Sequence, residues 1–89
     1  MGKELDVTVV NKLGLHARPA AQLVRLAMGF DAEITLSKDG ETANAKSIMG
    51  IMSFAACMGT VITIKADGAD AETAIEALAK LFAEKFGEE

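Results

Sequence analysis

The chain has 89 residues, half of them apolar, with no Trp, no Tyr and four Phe, so it can build one core of mostly aliphatic side chains. A net charge of −4 excludes a nucleic-acid-binding surface, which needs clustered Lys and Arg. The single cysteine excludes an internal disulfide, and no stretch approaches the ~18 apolar residues of a membrane span.

Residues 1–6 lack the blocks of a secretory signal, and Asp6 stands where a myristoylation signal needs Ser or Thr. A cytoplasmic protein is therefore expected. Leu5, Val7 and Val9 alternate with Asp6, Thr8 and Val10, which predicts a first strand with one buried face. From Ala17 the spacing changes. Ala20, Leu23, Val24 and Ala27 recur at i, i+3, i+4 and i+7, predicting a helix that buries one stripe, with Gly29 at its C-terminal cap. Pro19 fits there because first-turn amides lack intrahelical acceptors.

Ala32, Ile34 and Leu36 alternate with polar residues in a second strand, and Asp39-Gly40 reads as a tight turn into a third, Glu41 to Ala45. Ser47 can cap a short helix from Ile48 to Phe54. Ile51 and Phe54 are assigned to the core, and Ile48, Met49 and Met52 to the surface. Cys57, beside Ala56 and Met58, is expected to be a buried, inert thiol. Gly59 precedes a fourth strand, Thr60 to Ala66, with Ile62 and Ile64 inward. Asp70 is expected to cap a last helix whose Ala74, Ile75, Leu78, Leu81 and Phe82 repeat at helical spacing, with Glu76 and Lys80 as an i, i+4 pair.

The order β-α-β-β-α-β-α makes residues 1–89 one α+β domain, with helices covering one face of a four-stranded sheet. Ferredoxin-like ligand-binding domains share that order, and periodicity leaves both topologies open.

Candidate chemistry concentrates in Asn11-Lys12-Leu13-Gly14-Leu15-His16-Ala17-Arg18-Pro19-Ala20, which puts the only histidine where a strand gives way to a helix. None of Leu13, Gly14, Leu15 or Ala17 is a conventional N-cap, so the first amides, those of Ala17 and Arg18, are left to water, to His16 or to an anion. Arg18 can bind phosphate oxygens in bidentate fashion, and imidazole is a nucleophile for phosphoryl groups. One His and one distant Cys make no metal site, and no cofactor is expected. No carboxylate or second histidine is expected nearby to act as a general base. The pattern predicts a carrier that borrows its partners' machinery rather than a free-standing enzyme.

Leu13-Gly14-Leu15-His16-Ala17-Arg18-Pro19-Ala20 resembles the active-site signature of the HPr family, the histidine-containing phosphocarriers of the phosphoenolpyruvate:sugar phosphotransferase system. The likeness extends over the whole chain. It implies an open-faced β-sandwich of four antiparallel strands, in order 1-4-2-3, under three helices. It also implies that His16 accepts phosphate on Nδ1 from phospho-enzyme I and passes it to enzyme IIA domains, with Arg18 stabilising the transferring group. Lys46-Ser47-Ile48-Met49-Gly50-Ile51-Met52-Ser53 is similar to the regulatory serine motif of members that serve an HPr kinase/phosphorylase, which makes Ser47 a regulatory phosphosite. Ala20, Ile48, Met49 and Met52 are assigned to partner docking, and nothing demands more than a monomer. The segments 10–14, 29–33 and 82–86 look more like the nitrogen-related NPr branch. A regulatory relay or binding module that does not support sugar import is therefore the alternative.

Overall fold

The computed structural model describes residues 2–54 and 56–88; Met1, Ala55 and Glu89 lie outside the described residues. The strands are β1 (Gly2–Thr8), β2 (Glu33–Lys38), β3 (Glu41–Asn44) and β4 (Val61–Asp67), with burial alternating along β2 and β4. Helical spacing is realised in α1 (Ala17–Ala27), α2 (Ile48–Ser53) and α3 (Ala71–Ala83). The strands form one antiparallel sheet in the order β1-β4-β2-β3. That order decides between the two topologies, because a ferredoxin-like sheet needs β1 beside β3, and here they are opposite edges.

Ile34 and Leu36 of β2 and Ile62 and Ile64 of β4 face the helices and are buried with Leu23, Ile51, Leu78 and Phe82. Each such side chain contributes about 1.5–3 kcal/mol of burial. The other face of the sheet is open and polar. The register aligns Asp6, Thr63, Ser37 and Thr42 in one row across it, and the Thr63 hydroxyl donates to Asp6 Oδ1 at 2.6 Å. Asp39 and Gly40 both have positive φ, 48° and 82°, in the two-residue turn that sets Lys38 opposite Glu41.

β1 contributes less to the core than its alternation predicts. Leu5 is 43% exposed and Val7 half-buried, because an edge strand has a neighbour on one side only; Val9, just beyond β1, is fully buried. The expected ion pair of Glu76 with Lys80 is not among those formed by the described residues. A solvated pair of this kind gains little from closing.

Asp70 occupies the N-cap of α3 without capping it. Its carboxylate instead accepts the amides of Asp31 and Ala32, both at 2.8 Å, tying the α1–β2 connection to the start of α3. Lys46 Nζ adds a second tie to the same connection by donating to the Phe30 carbonyl at 2.8 Å. The bond from the Asp31 amide, helped by the Ala32 amide, its own amide and the Lys46 charge, outweighs desolvation and holds the Asp70 carboxyl below its ordinary 3.8. A lowered folded-state value stabilises the fold above the unfolded pKa, and that stability is lost as pH falls through the folded one. Asp70→Asn is therefore expected to be less stable than the wild type at neutral pH, with the gap closing below pH 3.8. Urea midpoints measured across that range check this; a gap that stays constant would remove the charge from the argument.

After α3 the chain turns back through a short 3-10 turn, Lys85–Gly87, that the helical spacing does not foretell. Lys85 and Phe86 take the left-handed conformation, φ 58° and 54°, at a cost of order 1–3 kcal/mol each. Burial of Phe86 offsets part of that cost: its ring is 1% exposed and meets Phe82 edge-on, centroids 4.9 Å apart at 69°. The turn directs Glu88 back toward the start of α1, where it meets His16. No helix of the described residues is long and apolar enough to cross a membrane.

Candidate functional site

The loop joining β1 to α1 is pinned at several points. Val9 donates to the Thr60 carbonyl at 2.9 Å and accepts from the Gly59 amide at 2.7 Å, and Leu15 donates to the Ala56 carbonyl at 2.9 Å. Within the loop the fully buried Asn11 donates from Nδ2 to the Gly14 carbonyl at 2.8 Å, while the Gly14 amide donates back to the Asn11 carbonyl at 3.2 Å. Gly14 has φ +68°, and a Cβ there would lie 2.5 Å from the Ala56 carbonyl oxygen and 2.8 Å from Cys57 Cα. Only a residue without Cβ lets the two loops lie this close.

This arrangement delivers His16 to the N-cap of α1 in extended backbone, φ −78° and ψ −171°, with its carbonyl accepting the Ala20 amide at 3.0 Å. No side chain caps the helix. The amides of Ala17 and Arg18 thus have no acceptor among the described residues, as the missing N-cap residue led us to expect. The His16 side chain is 35% exposed and Arg18 64% exposed. The His16 ring, two amides without an acceptor at a positive helix end and the exposed Arg18 guanidinium lie together at the head of α1, a place suited to an anion. A hollow lined by Lys12, Leu13, Arg18 and Glu88 adjoins it.

One group at this site was not anticipated, and it corrects the expectation that no carboxylate stands nearby. Glu88, 72 residues from His16, brings Oε2 to 2.8 Å from His16 Nε2. Its other oxygen accepts from Asn11 Nδ2 at 3.0 Å, and Arg18 lies 3.7 Å from Oε2. The Glu88 side chain is only 10% exposed. Asn11 therefore donates to both the loop and the carboxylate, while its Oδ1 stays buried without a partner, a cost of about 1–3 kcal/mol. Nothing local in the sequence marks Glu88, since its position depends on the back-turn at Lys85 and Phe86.

The second segment sits where the sequence puts it. Ser47 is the N-cap of α2, its Oγ accepting the Gly50 amide at 3.0 Å, and α2 packs against α1. Ile51 and Phe54 are buried, whereas Ile48, Met49 and Met52 are 42%, 76% and 43% exposed. Two expectations need correction. Ala20 is wholly buried in the stripe of α1 that faces the core, so it offers no surface for a partner. Cys57 is exposed rather than buried, because the α2–β4 loop turns Ala56 inward instead, and its Sγ lies 3.8 Å from Thr60 Oγ1. Among the described residues no group of three or more His, Cys, Asp and Glu side chains could hold a metal ion.

Comparison with known proteins places this geometry in context. Residues 3–84 match the family profile described as the PTS HPr component phosphorylation site. The chain is 51% identical to phosphocarrier protein HPr of Xylella fastidiosa over 86 residues, 97% of each chain. It is 45% identical to phosphocarrier protein NPr of Shewanella violacea over 85 residues, 96% of this chain and 93% of that one. The crystal structure of HPr-C-His from Thermoanaerobacter tengcongensis superposes with a TM-score of 0.94 at 50% identity, covering 98% of both chains.

Proposed function

The chain belongs to the HPr family of phosphocarrier proteins, and from that premise we propose that His16 is its phosphoryl-bearing residue, loaded on Nδ1 by phospho-enzyme I and unloaded by enzyme IIA domains. The observation that carries this reading is an accessible ring at the head of α1, beside two amides without an acceptor. Phosphoryl transfer passes through a loose transition state with charge spread over the equatorial oxygens, so position and charge stabilisation are what a carrier must supply. The Ala17 and Arg18 amides and the Arg18 guanidinium provide donors for those oxygens. Residues 1–89 act as one domain in this reading, a single copy suffices, and the work is done in the cytoplasm without a cofactor.

The test is direct. Phosphoenolpyruvate with a competent enzyme I adds one acid-labile phosphate to the protein, seen as a single mass increment, and an enzyme IIA domain removes it. No uptake overturns the reading. Uptake that no enzyme IIA discharges favours the second reading, a nitrogen-branch regulatory relay, which the likeness to an NPr protein supports.

Ser47 is proposed as a regulatory phosphosite for an HPr kinase/phosphorylase, and Ile48, Met49 and Met52 as docking surface. Support comes from the Ser47 hydroxyl at the α2 N-terminus, where a phosphate is tolerated, next to exposed apolar side chains. Negative charge there would meet an apolar patch that a partner has to desolvate. Ser47→Asp is expected to lower kcat/KM for loading by enzyme I roughly tenfold, mostly through KM. Equal rates for mutant and wild type would count against it.

A further inference from the structure

We propose that Glu88 is a positioning residue for transfer at His16: its carboxylate holds the Nε2–H edge of the ring, which leaves Nδ1 as the lone-pair nitrogen, and it balances the positive charge the ring acquires on phosphorylation. The inference rests on the phosphocarrier reading and says how the ring is prepared for it.

Of the two ring nitrogens, Nε2 is occupied, 2.8 Å from Glu88 Oε2. An ionised carboxylate has no proton to give, so the hydrogen bond forms only when Nε2 carries the hydrogen. The neutral ring is then fixed as the tautomer whose Nδ1 is unprotonated. The carboxylate is itself held, with Oε1 accepting from the wholly buried Asn11, whose Nδ2 also grips the Gly14 carbonyl. Ring orientation is thereby tied to the loop that carries it. Buried support of this kind is how a nucleophile's partner is kept in place, and the unpartnered Asn11 Oδ1 shows that polar satisfaction is incomplete there.

The step balances without a general base. The Nδ1 lone pair forms the N–P bond as the bond from phosphorus to the donor's leaving atom breaks, and that electron pair departs with the donor. No proton is lost from Nε2, so the ring becomes a phosphoimidazolium. Glu88 faces the cation on the side away from the incoming group, as a carboxylate does behind the histidine of a hydrolase triad. On unloading, the N–P electron pair returns to the ring and the cation is discharged.

The experiment compares wild type, Glu88→Ala and Glu88→Gln by two readouts. One is the nitrogen-15 and proton NMR signature of the His16 ring in the unphosphorylated protein. The other is the rate of phosphate uptake from phosphoenolpyruvate and enzyme I. We expect an exchange-protected Nε2–H resonance in the wild type, its loss in Glu88→Ala, and its return in Glu88→Gln, which keeps an acceptor oxygen. Uptake should fall roughly tenfold in Glu88→Ala and recover in part in Glu88→Gln, which restores orientation but not charge. An unchanged ring spectrum and rate in Glu88→Ala overturns the proposal. So does faster uptake, which would make the carboxylate a competitor for Arg18. Because the ring signature needs no phosphoryl donor, failure of the carrier reading would show as absent uptake in the wild type with the Nε2–H resonance still present.

Discussion

His16→Ala is expected to take up no acid-labile phosphate, a loss on the order of 10⁴-fold or more in loading rate, while remaining folded. The size follows from chemistry. Covalent transfer needs a nucleophile, and this is the one imidazole in the chain. The amides of Ala17 and Arg18 and the guanidinium are donors and cannot replace it. The fold should survive because the ring lies at the surface and outside the core, where substitutions usually change stability by less than about 0.5 kcal/mol. Intact mass after incubation with phosphoenolpyruvate and enzyme I measures the first claim and thermal unfolding the second. Stoichiometric acid-labile phosphate on His16→Ala would place the carrier residue elsewhere.

The second large effect concerns a residue that touches no phosphate. Gly14→Ala adds a Cβ only 2.5 Å from the Ala56 carbonyl oxygen and 2.8 Å from Cys57 Cα, both backbone atoms that cannot rotate away. It also forces an L side chain to φ +68°, worth about 1–2 kcal/mol before any clash is counted. Relief requires the β1–α1 and α2–β4 loops to separate, straining the bond from Leu15 to Ala56 and the Asn11 contact with Gly14. A loss of about 3 kcal/mol or more is expected, which for a domain of this size lowers Tm by roughly 12–24 °C. At temperatures where the variant stays folded, loading should fall as well, because the displaced loop carries His16. A Tm within about 3 °C of the wild type would show that the loops yield more easily than their contacts indicate.

Much of this arrangement is legible in the residues. Ile34 with Leu36 and Ile62 with Ile64 mark a face by alternation, Leu23 with Val24 and Ala27 mark a stripe, and the absence of a capping side chain before Ala17 foretells its free amide. Such signals are local, because they follow from backbone periods of two and 3.6 residues. What escaped depends on chain returning from a distance or on side chains with more than one use. Glu88 reaches His16 only because Lys85 and Phe86 adopt a left-handed turn that neither residue type favours. Asp70 has the chemistry of a cap, yet it finds the Asp31 and Ala32 amides across the fold instead. Cys57 keeps company with apolar residues, but loop direction decides that Ala56 goes inward. The docking role given to Ala20 conflicts with its own place in the buried stripe, and the spacing was the better guide.

Among the described residues no atom finishes the helix head at Ala17 and Arg18. In the carrier proposed above, an arriving PO₃ group evicts solvent rather than a capping side chain, and a departing one is replaced by solvent again. Loading of that carrier disturbs the Arg18–Glu88 pair, 3.7 Å apart, but no helix cap, so its resting and charged forms differ little at the helix head itself. On that proposal the post has no preferred direction, and traffic through it follows the relative supply of donors and takers on either side.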